Sequence, residues 1–296
     1  MEIAIKPGKY VVAVSGGVDS MVLLDMLSRL PGMHLVVAHY DHGVREDSAE
    51  DRRLVENVAK HYGLPFVYEE GGLGPGASEA QAREARYAFL RRVKNDYEAE
   101  AIIAAHHMDD LLETAILNII RGTGRKGLSS LASTRGVLRP LLHTPKCEIM
   151  DYARSHSIKW HEDSTNQSDQ YLRNYVRHHI LPKLGDDGRA RLYGYIERAE
   201  ALNPEIDAML LLDLQDKTAG GELDRRWFIM LPYDVSCEVM AMWLRVRGVR
   251  EFDRKTIERL VVFGKVAFPG KLADIDSEYW LKANKNSLGF SRRSLS

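Results

Sequence analysis

The stretch YVVAVSGGVDS, residues 10–20, decides how the first half of the chain folds. Its apolar opening, Tyr10 to Val14, has the makeup of a strand buried on both faces of a parallel sheet. Ser15 ends that run, and Gly16-Gly17 lead into Val18, Asp19 and Ser20, where a helical pattern begins. A connecting turn needs a glycine or an asparagine, but not two hydroxyls and a carboxylate around a glycine pair. A loop that wraps an anion needs most of them. Glycines without a Cβ let backbone N–H groups converge, and a helix N-terminus adds partial positive charge. Asp19 would repel a bare phosphate, so it suits holding Mg²⁺ or ordering the loop. No Gly-x-x-x-x-Gly-Lys-Ser/Thr sequence occurs, so this is not the usual P-loop.

Outward from the loop the alternation repeats. Short apolar runs at 35–39, 65–68 and 101–105 predict three further strands. Amphipathic stretches at 21–30, 47–62, 78–97 and 109–121 predict helices between them. Asp47 with Glu50, and Ser78 with Gln81, have the spacing of capping boxes. Together these predict an α/β fold with a doubly wound, mainly parallel sheet, whose ligand crevice lies beyond the carboxyl ends of the strands. The Ser15–Ser20 loop falls at one such end and His106-His107 at another.

Asp109, Asp110 and Glu113 follow those histidines at helical spacing and share one face. Three carboxylates at a helix start above an anion loop can hold Mg²⁺ or an ammonium, and a carboxylate or histidine there can accept a proton. The plainer reading is that Asp109 and Asp110 complement the helix dipole. The RGTGRKG stretch, residues 121–127, matches Gly-x-Gly-x-x-Gly but closes a helix instead of opening one. It therefore reads as a helix C-cap with a basic loop, not a dinucleotide fingerprint. The glycine-rich stretch at 69–80 lacks hydroxyls and basic groups beside its glycines and reads as a connecting loop. The pairs His39/His42 and His156/His161 lack the company of a metal motif.

The chain of 296 residues is long enough for two domains, and its 45% hydrophobic and 28% charged content is that of a soluble globular protein. No apolar run approaches the length of a membrane span, no secretory signal is visible, and Cys147 and Cys237 form no framework, which predicts a cytoplasmic protein. A net charge of −1 means that any nucleic acid is held by local basic patches.

SGGVDS resembles the pyrophosphate loop of the N-type ATP pyrophosphatases, the PP-loop superfamily. Four more stretches narrow the resemblance: AHYDHGVREDS (38–48), AAHHMDDLLETAILNIIRGTGRKGLSSL (104–131), LRPLLHTPKCEI (138–149) and WHEDSTNQSDQYLRNYVRHHILPKL (160–184). With the loop, they are similar to the tRNA(Ile)-lysidine synthetase family in order and spacing. That resemblance implies adenylation of the C2 carbonyl of a wobble cytidine in a CAU-anticodon isoleucine tRNA, using ATP and Mg²⁺, and then attack by free L-lysine. It implies ATP contacts from Ser15, Gly16, Gly17, Val18, Asp19, Ser20, His42, Arg45, His106 and Arg121, with Asp19 also as a Mg²⁺ ligand. Asp19, Asp109, Asp110 and Glu113 become the catalytic candidates. Arg125, Lys126, Arg173, Asn174 and Arg177 become candidates for tRNA, Arg173 and Arg177 lying one helical turn apart.

The organisation expected is a catalytic domain at 1–188, a connector helix at 189–216 with a kink at Pro204, and a smaller, mostly helical tRNA-contacting domain at 217–296. Arg245, Arg247, Arg250, Arg254, Lys255, Arg259, Lys265 and Lys271 form its densest basic region. The oligomeric state stays open, a homodimer included. A tRNA thiolation enzyme would need cysteine pairs that this chain lacks, and an asparagine synthetase would need a cysteine where Glu2 stands. A non-catalytic nucleotide sensor would have no use for the carboxylate cluster.

Overall fold

The computed structural model describes residues 1–41, 43, 48–72, 79–132, 136–161, 172–249 and 252–292. The chain divides into two compact units, Met1–Leu117 with Ser129–Tyr193, and Asn118–Leu128 with Gly194–Ser296.

The first unit opens with β1 (Gly8–Ala13), α1 (Val18–Ser28), β2 (Met33–Asp41), α2 (Ser48–His61), β3 (Phe66–Glu70), α3 (Glu79–Asp96) and β4 (Ala101–Ile103). Then come α4 (Met108–Ile120), α5 (Arg125–Leu128), β5 (Val137–Leu138), α6 (Lys146–Ser155) and α7 (Leu172–Tyr175), α5 and the end of α4 belonging to the second unit. The four strands expected from the sequence are present, in a sheet of order β3-β2-β1-β4-β5. Every pairing in it is parallel. The two-residue β5 is an addition that sequence periodicity does not reveal.

The pleat sorts β1 between two cores. Tyr10 and Val12 face one cluster with the buried side of α1 and with Ile149 and Ala153 of α6, while Val11 joins Tyr87, Leu90 and Val93 of α3 on the other face. Helix α1 is buried along nine of its eleven residues, because the sheet covers one side and α6 packs on another. The strand order reverses between β1 and β4, so the crevice beyond their carboxyl ends is the topological switch point. Both chemistry-bearing motifs follow these two strands.

Helix α8 (Gly185–Asp216) is one helix of 32 residues with Pro204 inside it, and its residues from Gly194 on belong to the second unit. In the second unit, α9 (Arg225–Met230), α10 (Tyr233–Val246) and α11 (Arg254–Val266) supply most of the regular structure. They pack with an antiparallel sheet of β6 (Thr218–Ala219), β7 (Glu222–Asp224), β8 (Leu272–Asp274), β9 (Tyr279–Ala283) and β10 (Ser287–Arg292), in the order β6-β7-β10-β9-β8. Trp243, Phe228 and Leu260 are fully buried at the centre of this core. The helices match expectation, and the sheet is new. Among the described residues no helix is long and apolar enough to cross a membrane.

Candidate functional site

Gly16 sits at φ +96, where an L side chain is strained, and a Cβ there would stand 3.3 Å from the Cβ of Asp51. Gly17 is the N-cap of α1 and supplies no side-chain cap, so the first-turn N–H groups are left for another acceptor. Hydroxyls brace the loop from within. The backbone N–H of Ser15 donates to Ser20 Oγ at 3.1 Å, and Ser20 Oγ donates to the Gly17 carbonyl at 2.9 Å. Outside the loop, the His161 N–H donates to the Gly16 carbonyl at 3.1 Å, and His161 Nδ1 lies 2.9 Å from Asp51 Oδ1. Burial holds His39 below the usual imidazole range, so its neutral ring donates from Nδ1 to the Val14 carbonyl at 2.8 Å. The loop is preformed for an anion.

Asp19 lies in the first turn of α1 and is partly exposed. Lys146 Nζ, from the first residue of α6, lies 2.5 Å from its Oδ1, and His107 Nε2 lies 3.7 Å from its Oδ2. The Asp109 N–H donates to His107 Nδ1 at 3.2 Å, which leaves the ring proton on Nε2. That same Nε2 stands 3.6 Å from Asp110 Oδ2, so His107 bridges the carboxylates of α1 and α4. Asp110 also accepts the His107 N–H at 3.0 Å. Burial pushes the Asp110 carboxyl up, but His107, that N–H bond and Arg177 outweigh it and hold it below the usual range.

Glu113 is fully buried, and Arg177 grips it with two bonds, Nε to Oε1 at 2.6 Å and Nη2 to Oε2 at 2.9 Å. Burial pushes the Glu113 carboxyl up, against the pull of that guanidinium. The third acid, Asp109, faces Arg189 Nη1 at 3.7 Å and is the more exposed of the α4 pair. His106 accepts from Arg139 Nε at 3.1 Å through Nδ1. Desolvation lowers its pKa to about 3, so it is a neutral ring with its proton on Nε2. An imidazole held this way donates a hydrogen bond and takes up no proton near neutrality.

The first unit thus brings together the Ser15–Ser20 loop, Asp19, His106, Asp109, Asp110, Glu113 and Arg177. Arg173 Nη2 reaches Thr114 Oγ1 at 3.3 Å from the same side of α4, and Asn174 is buried. His42 and Arg45 lie outside the described residues, as do Asp47 and Ser78 of the expected capping boxes. Arg121 belongs to the second unit and is exposed there. Gly122 closes α4 at φ +68, with its N–H on the Ile119 carbonyl and the Thr123 N–H on the Asn118 carbonyl, the C-cap expected of this stretch. Arg125 and Lys126 are committed inside the second unit. Arg125 pairs with Asp207 and with Glu238 at 3.0 Å, and Lys126 meets Asp207 at 2.6 Å.

Much of the dense basic region of the second unit is similarly engaged. Arg245 stacks on Phe252 at 5.1 Å and Arg247 on Trp243 at 4.0 Å, where burial lowers the Arg247 guanidinium to about 10. Lys265 Nζ donates to the carbonyls of Phe228, Ile229 and Leu231, and Arg254 pairs with Glu258. Lys255 and Lys271 are exposed, and Arg250 lies outside the described residues.

Lys146, Arg139 and Arg189 were not singled out by sequence. Lys146 sits in the LRPLLHTPKCEI motif, but its partner is 127 positions away, and only the fold joins them.

Residues 3–184 match the PP-loop domain family. A tRNA(Ile)-lysidine synthase of Thermotoga maritima is 39% identical, over 93% of this chain and 67% of its own length. One from Solibacter usitatus is 37% identical over 60% of this chain and 41% of its own, and one from Legionella pneumophila is 30% identical over 87% and 63%. The chain therefore spans between 41% and 67% of the length of these curated relatives. Among solved structures, a U34-tRNA thiolase of Methanococcus maripaludis with its 4Fe–4S cluster superposes with a TM-score of 0.55 at 18% identity, covering 67% of this chain and 73% of that one. A likeness at that identity concerns the fold alone.

Proposed function

Because the chain belongs to the tRNA(Ile)-lysidine synthase (synthetase) family of PP-loop ATP-binding proteins, we propose that it is the ligase its relatives are named for. In this reading it joins L-lysine to the wobble cytidine of a CAU-anticodon isoleucine tRNA, with ATP converted to AMP and diphosphate. The observation that carries the reading is the convergence at the switch point. Asp19 of the loop after β1 and Asp110 of the helix after β4 face the same His107 Nε2, at 3.7 and 3.6 Å.

The chemistry runs in two steps. The C2 carbonyl oxygen of the cytidine attacks the α-phosphorus of ATP while the bond to the diphosphate breaks. Ser15, Gly16, Gly17, Val18 and Ser20 cradle the phosphates with N–H and hydroxyl donors, and His42, Arg45 and His106 are the further nucleotide contacts of this reading. The ε-amine of lysine then attacks C2, the C2–O bond breaks, and AMP leaves. Lysine arrives as an ammonium, which Asp109 and Asp110 attract and whose proton a carboxylate accepts. Glu113 acts through Arg177, holding that guanidinium beside Asp110. Asp19 and Asp110 offer hard oxygen donors beside the loop, a set that fits Mg²⁺, which takes one or two carboxylates and completes its shell with phosphates and water. Bound there, Mg²⁺ would neutralise phosphate charge. Arg173, Asn174 and Arg177 in the first unit are the proposed tRNA-side groups, whereas Arg125 and Lys126 in the second serve Asp207 and Glu238.

The test is mass spectrometry of nucleosides from a CAU-anticodon tRNA incubated with the chain, ATP and lysine. Lysidine with stoichiometric AMP is expected. AMP formed without any change in the cytidine would sink the lysine step, and no tRNA-dependent AMP would sink the whole reading.

A further inference from the structure

Helices α1 and α6 touch at two places that share one offset. Asp19 meets Lys146, and Asp25 accepts the Tyr152 hydroxyl at 2.8 Å, six positions further along each helix. Equal steps in the same sense mean that the two helices run parallel, with their N-termini side by side. Helix α6 begins after Pro145, which gives no side-chain cap, so its first-turn N–H groups open at the same place as those of α1. Two N-termini of positive partial charge without side-chain caps and one ammonium therefore meet at the Asp19 carboxylate, while Glu148 in the first turn of α6 is exposed and Asp110 lies beyond His107. That is more positive charge than Asp19 balances.

Nothing ties Lys146 there permanently. Its side chain is 34% exposed and that of Asp19 28%, so the pair is a half-solvated ion pair on a flexible four-carbon stem, and such pairs are weak. A multiply charged phosphate chain in the Ser15–Ser20 cradle would outbid a lone carboxylate for the ammonium. We infer that Lys146 is a phosphate ligand of this site, its ammonium passing from Asp19 to the terminal phosphates of ATP when the nucleotide binds. In the empty site it neutralises Asp19, which would otherwise repel the incoming phosphates. This rests on the ATP reading above and adds a residue to it.

The test is calorimetric titration of the full chain with ATP, inorganic pyrophosphate and AMP at fixed Mg²⁺. A charge-assisted contact to phosphate carries at least a tenfold effect. Lys146→Ala should therefore weaken ATP and pyrophosphate by about tenfold or more, and AMP by less than about twofold. Lys146→Arg should restore ATP to within about threefold of wild type. Tyr152→Phe loosens the helix pair without touching the charge, and it should leave pyrophosphate affinity within about twofold. Equal losses for all three ligands, or unchanged pyrophosphate affinity in Lys146→Ala, would overturn the inference. Wild-type protein that fails to bind ATP would overturn the ATP reading itself.

Discussion

At the scale of single residues, the Glu113–Arg177 pair sets the terms on which α4 carries its charges. Glu113 is fully buried and its two oxygens are both held, so Arg177→Ala would strand a carboxylate in a low-dielectric site. Breaking a buried pair from one side costs about 3–5 kcal/mol. The pH dependence has a definite sign. Burial raises the Glu113 pKa above 4.5, so the group favours folding when protonated, and that support is lost as pH rises through its folded pKa. Arg177→Ala should therefore be most damaging at neutral pH and recover toward pH 4.5, read from urea midpoints across that range. Glu113→Gln should be milder, since Arg177 keeps Asp110 at 3.6 Å.

His106 gives the opposite slope. Its folded pKa of about 3 lies below the ordinary 6.5, so its contribution is complete above 6.5 and is lost as pH falls toward 3. The native chain should lose stability on acidification below about pH 6.5, and His106→Gln should flatten that branch. His39, also lowered by burial, keeps some slope in the variant. An unchanged slope in His106→Gln would mean that its ring is protonated in the fold.

At the scale of elements, the loop between β1 and α1 depends on one backbone conformation. Gly16→Ala places a Cβ at φ +96 and 3.3 Å from Asp51 Cβ, which should cost about 1–2 kcal/mol and spread the N–H groups that face the anion. ATP affinity should fall further than thermal stability does. Equal ATP affinity in the variant would show that the loop tolerates a second conformation. Behind it, Asp25 ties α1 to the end of α2 and to α6, accepting from Tyr62 at 2.5 Å, Tyr152 at 2.8 Å and twice from Arg29 at 2.8 Å.

These elements were legible in the sequence to unequal degrees. Strands β1 to β4 announce themselves because parallel strands buried on both faces are continuous apolar runs, and α2 to α4 because one face of each is polar. The loop and the Asp109–Glu113 cluster were legible because their chemistry is local. The sheet of the second unit was not, since its strands are two to six residues long and have too few positions for a period. The Lys146–Asp19 and Arg177–Glu113 pairs were hidden for a different reason. Their partners stand 127 and 64 positions apart, and no sequence pattern encodes that closeness.

At the scale of the whole molecule, the question is how a chain of net charge −1 would hold the tRNA proposed for it. Each phosphate contact releases counterions and contributes a slope of about −0.9 in log K against log salt on duplex, and about −0.7 on single strands. In the second unit many candidate cations already serve carbonyls, carboxylates or aromatic rings. Arg125 and Lys126 share Asp207, so alanine at both should lower the unfolding midpoint and leave the slope of tRNA binding unchanged. Helix α7 presents a different surface. Its inner side sends Arg173 to Thr114, while Tyr175 and Leu172 stand 46% and 45% exposed and the Tyr175 ring lies 4.8 Å from that of His179. An exposed aromatic beside histidines suits stacking of an unpaired base, which carries no salt dependence of its own. Tyr175→Ala should then weaken binding of an anticodon stem-loop by about 1–3 kcal/mol with the slope intact. Arg173→Ala should reduce the slope by about one contact. A salt titration of the four proteins decides between these outcomes. If Arg125→Ala/Lys126→Ala flattens the slope at full stability, the ion pairs with Asp207 open on binding and the second unit does grip RNA there.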